Sequence, residues 1–150
     1  MNPSRKSRSE LEVGTVIHYR DFEGKTGQKD RYFIVVAIDE NSFYCFTTTT
    51  QTYLLESDRF KAEASPIIQA GSTCLPKKCV VDYRNLHRFD DIVMTNRLTT
   101  NRARVIGHLP DSILIMIKDG VKNSKLLPAD SIRRVVVSLS PKFFLQNSNF

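Results

Sequence analysis

The segment Gly14–Gln51 constrains the fold more than any other part of the chain, because it repeats one simple pattern of apolar and turn-forming residues. β-Branched and aromatic residues alternate along Val13–Tyr19, which is the period of a strand with one buried face. The run Arg31–Ile38 is mostly apolar, and Phe43–Thr50 is rich in aromatic residues and threonine. Between the first two runs lies Glu23–Asp30 (EGKTGQKD), whose glycines and charges predict a loop. We therefore expect a strand, a basic loop and two antiparallel strands.

The chain after Gln51 carries weaker signals. Tyr53–Glu56 is compatible with an extension of the sheet, and the polar, proline-containing stretch Ser57–Ala70 predicts a long connection. Lys78–Tyr83 (KCVVDY) predicts a further strand, and the charged stretch Arg84–Asp91 after it predicts a turn or a rim. The polar and basic residues of Thr95–Arg104 have no clear period, so they predict an exposed excursion.

The end of the chain combines helix-starting residues with ambiguous periodicity. A proline and an acidic residue open Pro110–Lys122, as they do in the first turn of many helices, although its isoleucines alternate as in a strand. We predict a helix there. A proline and an aspartate also precede Ile132–Leu139, where periodicity does not distinguish a second short helix from a last strand. About five short strands and late helices predict a mainly β fold that closes into a small barrel.

Length and charge suit a single basic domain. The 150 residues carry a formal net charge of +6 and have a pI near 9.4. This excess of lysine and arginine favours polyanionic partners, because binding to phosphates or acidic segments releases counterions. We predict one domain over residues 13–140, with a basic, disordered tail at 1–12 and a C-terminal tail at 141–150.

Cysteine usage and hydropathy indicate the compartment. Cys45, Cys74 and Cys79 are an odd number, and the opening MNPSRKSRSE lacks the apolar segment of a secretion signal. No apolar run approaches the roughly 18 residues that span a bilayer. The sequence therefore predicts a cytoplasmic protein that is not in the membrane. The cysteine and histidine spacings match no zinc-site pattern, so we expect neither a metal nor a cofactor.

Polar reactive groups lie on a predicted strand or its rim at three places, namely the loop Lys25–Arg31, the threonines Thr47–Thr50, and the group Asp82, Arg84 and His87. In a sheet linked by hairpins, the start of one strand lies near the end of its neighbour. Arg31 is therefore expected to face Thr48 or Thr49 across the strand pair. His87 is the histidine closest to other candidate groups, and histidine is the commonest acid or base near neutral pH.

The opening GTVIHYRDFEGKTGQKDRYFIVVAID resembles the start of the MazF/PemK/Kid-type toxins, the endoribonucleases of toxin–antitoxin pairs. The shared features are an initial glycine, a loop with glycine and Gln, an Arg and an apolar strand, here Gly14, Gly24 or Gly27, Gln28, Arg31 and Ile34–Ile38. Three later segments of the chain also resemble the family. They are Phe43–Gln51, an apolar strand that runs into threonine, Cys79–Arg84, a strand that ends in an acid-containing stretch, and Leu109–Asn123, a terminal helix. The chain departs from the family at Tyr32, where proline is usual, and at Thr95–Arg104, which resembles an insertion.

The resemblance implies an SH3-like, PemK-type half-open barrel that cleaves single-stranded RNA without a metal, by attack of the ribose 2′-OH on the adjacent phosphate. It implies that Arg31 stabilises the phosphate charge and that Thr48 hydrogen-bonds the phosphate or the 2′-OH, with Asp82 as the base. Further RNA contacts are expected from Lys25, Gln28, Lys29, Arg84 and His87. An acidic antitoxin that occupies the groove and a symmetric homodimer are also implied.

A second interpretation keeps the fold but not the chemistry. A non-catalytic SH3-like module would use the same basic loop to hold a nucleic acid or an acidic peptide without breaking a bond. A metal-dependent enzyme is disfavoured, because the chain lacks clustered histidine and carboxylate ligands. Cleavage of RNA in the presence of EDTA separates the enzyme from the binding module.

Overall fold

The computed structural model describes residues 11–24 and 27–140, with the side chains of residues 21–29 left out of that description. The described residues form six strands, three α-helices and two short 3₁₀ helices, the latter at Thr52–Glu56 and Lys61–Glu63. The strands are β1 (Thr15–Gly24), β2 (Gly27–Ile38), β3 (Ser42–Thr49), β4 (Ala64–Ile68), β5 (Cys79–Asp90) and β6 (Ala103–His108). The α-helices are α1 (Asp91–Thr99), α2 (Asp111–Val121) and α3 (Ala129–Leu139).

The described strands form one antiparallel sheet in the order β4-β5-β3-β2-β1-β6. The predicted pair of antiparallel strands from Arg31–Ile38 and Phe43–Thr50 is confirmed as β2 and β3. The predicted mainly β fold with late helices is confirmed as well. Leu11, within the predicted N-terminal tail, is buried in the core, and residues 1–10 and 141–150 of the predicted tails lie outside the described residues.

The prediction of a loop over Glu23–Asp30 is wrong for most of its length. β1 and β2 continue to pair as far as Glu23 with Gln28 and Gly24 with Gly27. Cross-strand hydrogen bonds satisfy backbone groups whatever the polarity of the side chains, and glycine suits the tight end of a hairpin. The glycines and charges therefore belong to a long hairpin.

Four predictions after Gln51 are also wrong. Tyr53–Glu56 lies in a 3₁₀ helix rather than in the sheet, and the predicted connection Ser57–Ala70 contains β4. The predicted rim at Arg84–Asp91 continues β5 as far as Asp90. Arg88 and Asp90 take exposed positions of this strand, and Phe89 between them is buried. The predicted excursion Thr95–Arg104 contains the end of α1 and the start of β6.

The predicted helix over Pro110–Lys122 is confirmed as α2, and for Ile132–Leu139 the structure selects a helix, α3. Both helices begin after a proline and carry an aspartate in the first turn, where the helix dipole favours an acid. Their buried apolar residues fall on one side at helical spacing, namely Leu114, Ile117 and Val121 in α2 and Val135 and Leu139 in α3.

The sheet has two faces with separate cores. The helix face is the side covered by α2 and α3, and its buried residues include Val16, Ile34, Phe46, Val81 and Tyr83. The opposite side, which we call the concave face, is packed against α1 and carries Ile17, Tyr19, Phe33, Cys45 and Phe89.

The concave face is strongly curved. β1 and β5 are separated by two strands, which in a flat sheet would place them about 14 Å apart. The rings of Tyr19 on β1 and Phe89 on β5 nevertheless stack with centroids 5.8 Å apart. Polar groups on the inner side of such a curve converge, which matters for the candidate site. No described helix has the length and apolar character needed to cross a membrane.

Candidate functional site

The strand register assigns the threonine run to two different faces. Arg31 pairs with Tyr19, and Thr47 pairs with Phe33, so both lie on the concave face. Thr49, two residues further along β3, shares that face because side chains alternate along a strand. Of the two threonines expected to face Arg31, only Thr49 is on its side of the sheet.

Thr48, by contrast, belongs to the helix face. It pairs with Val81, which lies in the core under α2 and α3, and it is 9% exposed. Its hydroxyl hydrogen-bonds the thiol of Cys79, and this contact partly offsets the burial that raises the pKa of that thiol. The structure therefore separates Thr48 from Arg31, because a shift of one residue along a strand reverses the face.

A bulge in β5 brings together two groups that a regular strand would separate. Asp82 pairs with Thr47 and His87 pairs with Cys45, so four residues of β5 lie opposite Phe46 alone. Residues five apart in an uninterrupted strand point to opposite faces, but extra residues in a bulge reset that alternation. Asp82 and His87 consequently both belong to the concave face.

His87 is the centre of this group. Its ring packs edge-on against Phe33 at a centroid distance of 5.3 Å. Burial lowers the pKa of His87, the positive charge of Arg31 lowers it further, and the negative charge of Asp82 opposes both. The imidazole is therefore held in its neutral form at neutral pH, where it can accept a proton.

Both carboxylate oxygens of Asp82 accept hydrogen bonds from Arg84. Its Oδ1 accepts from the Arg84 Nε at 3.0 Å, its Oδ2 accepts from Nη2 at 2.8 Å, and the Arg84 backbone N–H also donates to Oδ1 at 3.0 Å. This bidentate pair raises the pKa of Arg84, mainly through the hydrogen bond to Asp82. The guanidinium carbon also lies 5.3 Å from the ring centroid of Phe60, so Arg84 is fixed in orientation.

The connection between β3 and β4 forms an aromatic and basic rim beside Arg84. The guanidinium carbon of Arg59 lies 5.0 Å from the centroid of the same Phe60 ring. The neighbouring Tyr53 is 61% exposed. The buried carboxylate of Glu63 accepts hydrogen bonds from the Ser124 hydroxyl and, at 2.7 Å, from the Lys125 N–H. This anchor ties the rim to the turn between α2 and α3. Sequence reasoning missed the rim, because its residues have no strand or helix period.

Two of the remaining predicted RNA contacts, Gln28 and Lys29, lie on the β1–β2 hairpin. Gln28 and Lys29 pair with Glu23 and Phe22 along the backbone, and their side chains are outside the described residues. Lys25 lies outside the described residues altogether.

The group can act on a phosphate ester. Arg31 supplies a cation, His87 a neutral base, Thr47 and Thr49 supply hydroxyls, and Arg84 adds an oriented donor. Within the described residues, no group of three or more His, Cys, Asp or Glu side chains is arranged to hold a metal ion. No protein-family model matches the chain, and no curated protein matches it either.

Proposed function

We propose that the protein is an endoribonuclease similar to the MazF/PemK/Kid-type toxins, with its sheet forming a PemK-type half-open barrel. The observation that carries the proposal is the common location of Arg31, Asp82 and His87 on the concave face, where both charges act on the imidazole. A cation beside a neutral base is the minimum that attack of a 2′-OH on a phosphate requires. A single-stranded RNA suits a curved cleft, because its bases are free to unstack.

His87 takes the proton of the ribose 2′-OH in this reaction. The bond between the 2′ oxygen and phosphorus forms, the bond between phosphorus and the 5′ oxygen breaks, and the 5′ oxygen takes a proton from water. The hydroxide that remains removes the proton from His87 and restores the neutral imidazole. The products carry a 2′,3′-cyclic phosphate and a 5′-OH. The Arg31 guanidinium stabilises the negative charge that builds on the phosphate oxygens, since its fork of donors matches their geometry.

The hydroxyls of Thr47 and Thr49 hydrogen-bond the phosphate, a role that the resemblance alone had given to Thr48. Asp82 acts by orienting Arg84 toward the substrate rather than as the base, because the Arg84 guanidinium engages both of its carboxylate oxygens. Unstacked bases bind to the exposed ring of Tyr53 and to Phe60, as they do on other single-strand binding surfaces. The hairpin residues Lys25, Gln28 and Lys29 add contacts along the RNA backbone.

The same cleft explains the partners that we propose. An acidic antitoxin segment would neutralise the guanidinium groups of the cleft and exclude RNA from it. We propose in addition that the enzyme is a cytoplasmic homodimer that needs no cofactor.

The proposal is tested by incubating the purified protein with single-stranded RNA in EDTA. We expect cleavage and products with 2′,3′-cyclic phosphate ends, identified by mass spectrometry. Arg31→Ala should lower kcat by roughly 100- to 1,000-fold, the usual loss when one donor to a developing oxyanion is removed. Its effect on RNA affinity should be smaller.

Arg133→Ala is the matched control, because it removes one arginine from α3 on the other side of the sheet, where the side chain is 74% exposed. This variant should cleave like the unmodified protein. RNA that is bound but stays intact would reject the enzyme and support the non-catalytic module, in which the concave face holds a nucleic acid or an acidic peptide.

A further inference from the structure

Three arginines meet where α1 ends and β6 begins, and we call Arg20, Arg97 and Arg102 the arginine patch. The Arg102 backbone N–H donates to the carbonyl of Arg97 at 3.0 Å, and the Arg20 N–H donates to the carbonyl of Arg102 at 2.7 Å. The Arg20 guanidinium also donates to the carbonyl of Asn101 at 2.7 Å. These contacts bring the backbones of the three residues together, although Arg20 is far from the others in sequence.

The arginine patch is continuous with the candidate site. The Arg97 Nε donates to the hydroxyl of Tyr19 at 2.8 Å, and Tyr19 is the cross-strand partner of Arg31. Arg97 is therefore one side chain away from Arg31. Arg20 follows Tyr19 in β1 and takes the other face of the strand, so the patch continues around β1 rather than along the concave face. The rim of Tyr53 and Phe60 lies beside Arg84, on the opposite flank of the concave face.

No carboxylate whose side chain the structure describes forms an ion pair with the arginine patch. None of the ion pairs among the described residues involves Arg20, Arg97 or Arg102. Arg20 and Arg102 are exposed. Like charges held together repel each other, and a polyanion that binds them relieves this repulsion and releases counterions.

We propose that the arginine patch binds backbone phosphates of RNA that flank the cleaved bond. This subsite rests on the proposed function, and it runs from the concave face across β1 to the last turn of α1. RNA is the occupant we propose rather than an acidic polypeptide, because Arg97 connects the patch through Tyr19 to Arg31, the residue proposed to hold the phosphate at the cleaved bond. Arg20 is already held by Asn101, which lowers the side-chain entropy lost on binding.

The subsite depends on α1, and the resemblance to the toxin family does not cover the end of this helix. The end of α1 and the start of β6 come from Thr95–Arg104, the stretch where the sequence departs from the toxin family. The arginine patch is therefore assigned from contacts in this structure and not from the resemblance.

The test compares two double variants that each remove two positive charges. Arg20→Ala/Arg102→Ala removes the exposed part of the arginine patch and leaves Arg97 on Tyr19. Lys122→Ala/Arg133→Ala is the control, because both residues are exposed on the helices of the other sheet face. Binding is measured with 2′-O-methyl RNA of mixed sequence, which cannot be cleaved, as dinucleotides and as dodecamers over a range of salt concentrations.

We expect the patch variant to lose roughly tenfold in dodecamer affinity, and its salt dependence to fall by about one to two phosphate contacts. Dinucleotide binding should not change, and Arg20→Lys/Arg102→Lys should recover most of the loss. Equal dodecamer binding by the patch and control variants would overturn the subsite. Binding of poly-glutamate is measured in parallel. A loss of affinity for poly-glutamate alone would also overturn the subsite, because that result would assign the patch to a protein partner.

Cleavage of the dodecamer with 2′-OH groups, measured in EDTA alongside, separates this inference from the proposed function. Weaker binding by the patch variant without any cleavage by the unmodified protein would reject the ribonuclease and keep the patch as a phosphate site. Cleavage together with equal binding by the two double variants would keep the ribonuclease and reject the subsite.

Discussion

At the scale of single residues, the behaviour of His87 follows from its surroundings more than from its residue type. Burial against Phe33 lowers the pKa of the imidazole, and the charges of Arg31 and Asp82 act on it in opposite directions. A neutral imidazole beside a guanidinium is the arrangement that a general base near a phosphate requires. The sequence identified all three residues as candidates, but not that they share one face.

The pH dependence of cleavage follows from that environment. A base whose pKa is lowered stays deprotonated to lower pH, so kcat/KM should fall only below the ordinary histidine value of 6.5. Arg31→Ala removes a charge that lowers the pKa, so the acidic limb of its residual activity should move to higher pH. His87→Gln should remove the limb and lower activity by roughly 100- to 10,000-fold. If kcat/KM of the unmodified protein began to fall at or above pH 6.5, the result would argue against His87 as the base.

At the scale of elements, the contact between α2 and the sheet depends on the absence of a side chain at Gly120. The ring of Tyr83 on β5 and the hydroxyl of Ser65 on β4 lie directly against this glycine. The Tyr83 hydroxyl donates to the Ser65 carbonyl, so the ring has little freedom to move. Tyr83 belongs to the β5 bulge, which also sets the positions of Asp82 and His87. Helix packing and the candidate site therefore share one strand.

Gly120→Ala should destabilise the fold. A Cβ there would stand 2.7 Å from the Tyr83 hydroxyl, closer than atoms can pack, and such overpacking costs about 1 to 3 kcal/mol. The better helix propensity of alanine returns only about 1 kcal/mol. Urea unfolding measures the net loss, and Asp119→Ala, one position earlier on the exposed side of α2, should stay within about 0.5 kcal/mol. A Gly120→Ala protein as stable as that control would show that the packing is looser than described.

The elements also differ in how well the sequence announced them. β3 and α2 were predicted close to their observed bounds, and β2 was predicted correctly at its end but not at its start. Apolar and aromatic residues mark the two strands, and a proline followed by an acidic residue marks the start of α2. α1 buries only Met94 and Leu98, and the second half of β5 alternates buried residues with charged ones. Their local patterns resemble exposed segments, because pairing and packing with distant residues decided their structure.

At the scale of the whole molecule, the curved sheet divides the chain into a concave face with the candidate chemistry and a face packed under helices. Thr48 and Thr49 are neighbours in sequence but lie on these two different faces. The division makes the location of the cleft testable with substitutions that hardly change side-chain shape.

Thr49→Val should lower kcat/KM for RNA by roughly tenfold, because one hydrogen bond to the phosphate is worth about 1 kcal/mol or slightly more. Thr48→Val removes a hydroxyl that contacts the Cys79 thiol on the helix face, so it should leave kcat/KM unchanged. The pair is matched in chemistry and differs only in the face it alters. A larger loss from Thr48→Val would put the substrate on the wrong side of the proposed cleft.

The sequence by itself determined the central strands, the late helix α2 and the identity of most candidate groups, because apolar periodicity and residue chemistry are local properties. Arg31, Asp82, Arg84 and His87 could all be chosen in this way. Only the tertiary structure decided which of them meet. The β5 bulge brings Asp82 and His87 to one face, and the register of β3 sends the hydroxyl of Thr48 away from it. Both depend on pairing between residues far apart in the chain, which leaves no mark on the local pattern of either strand.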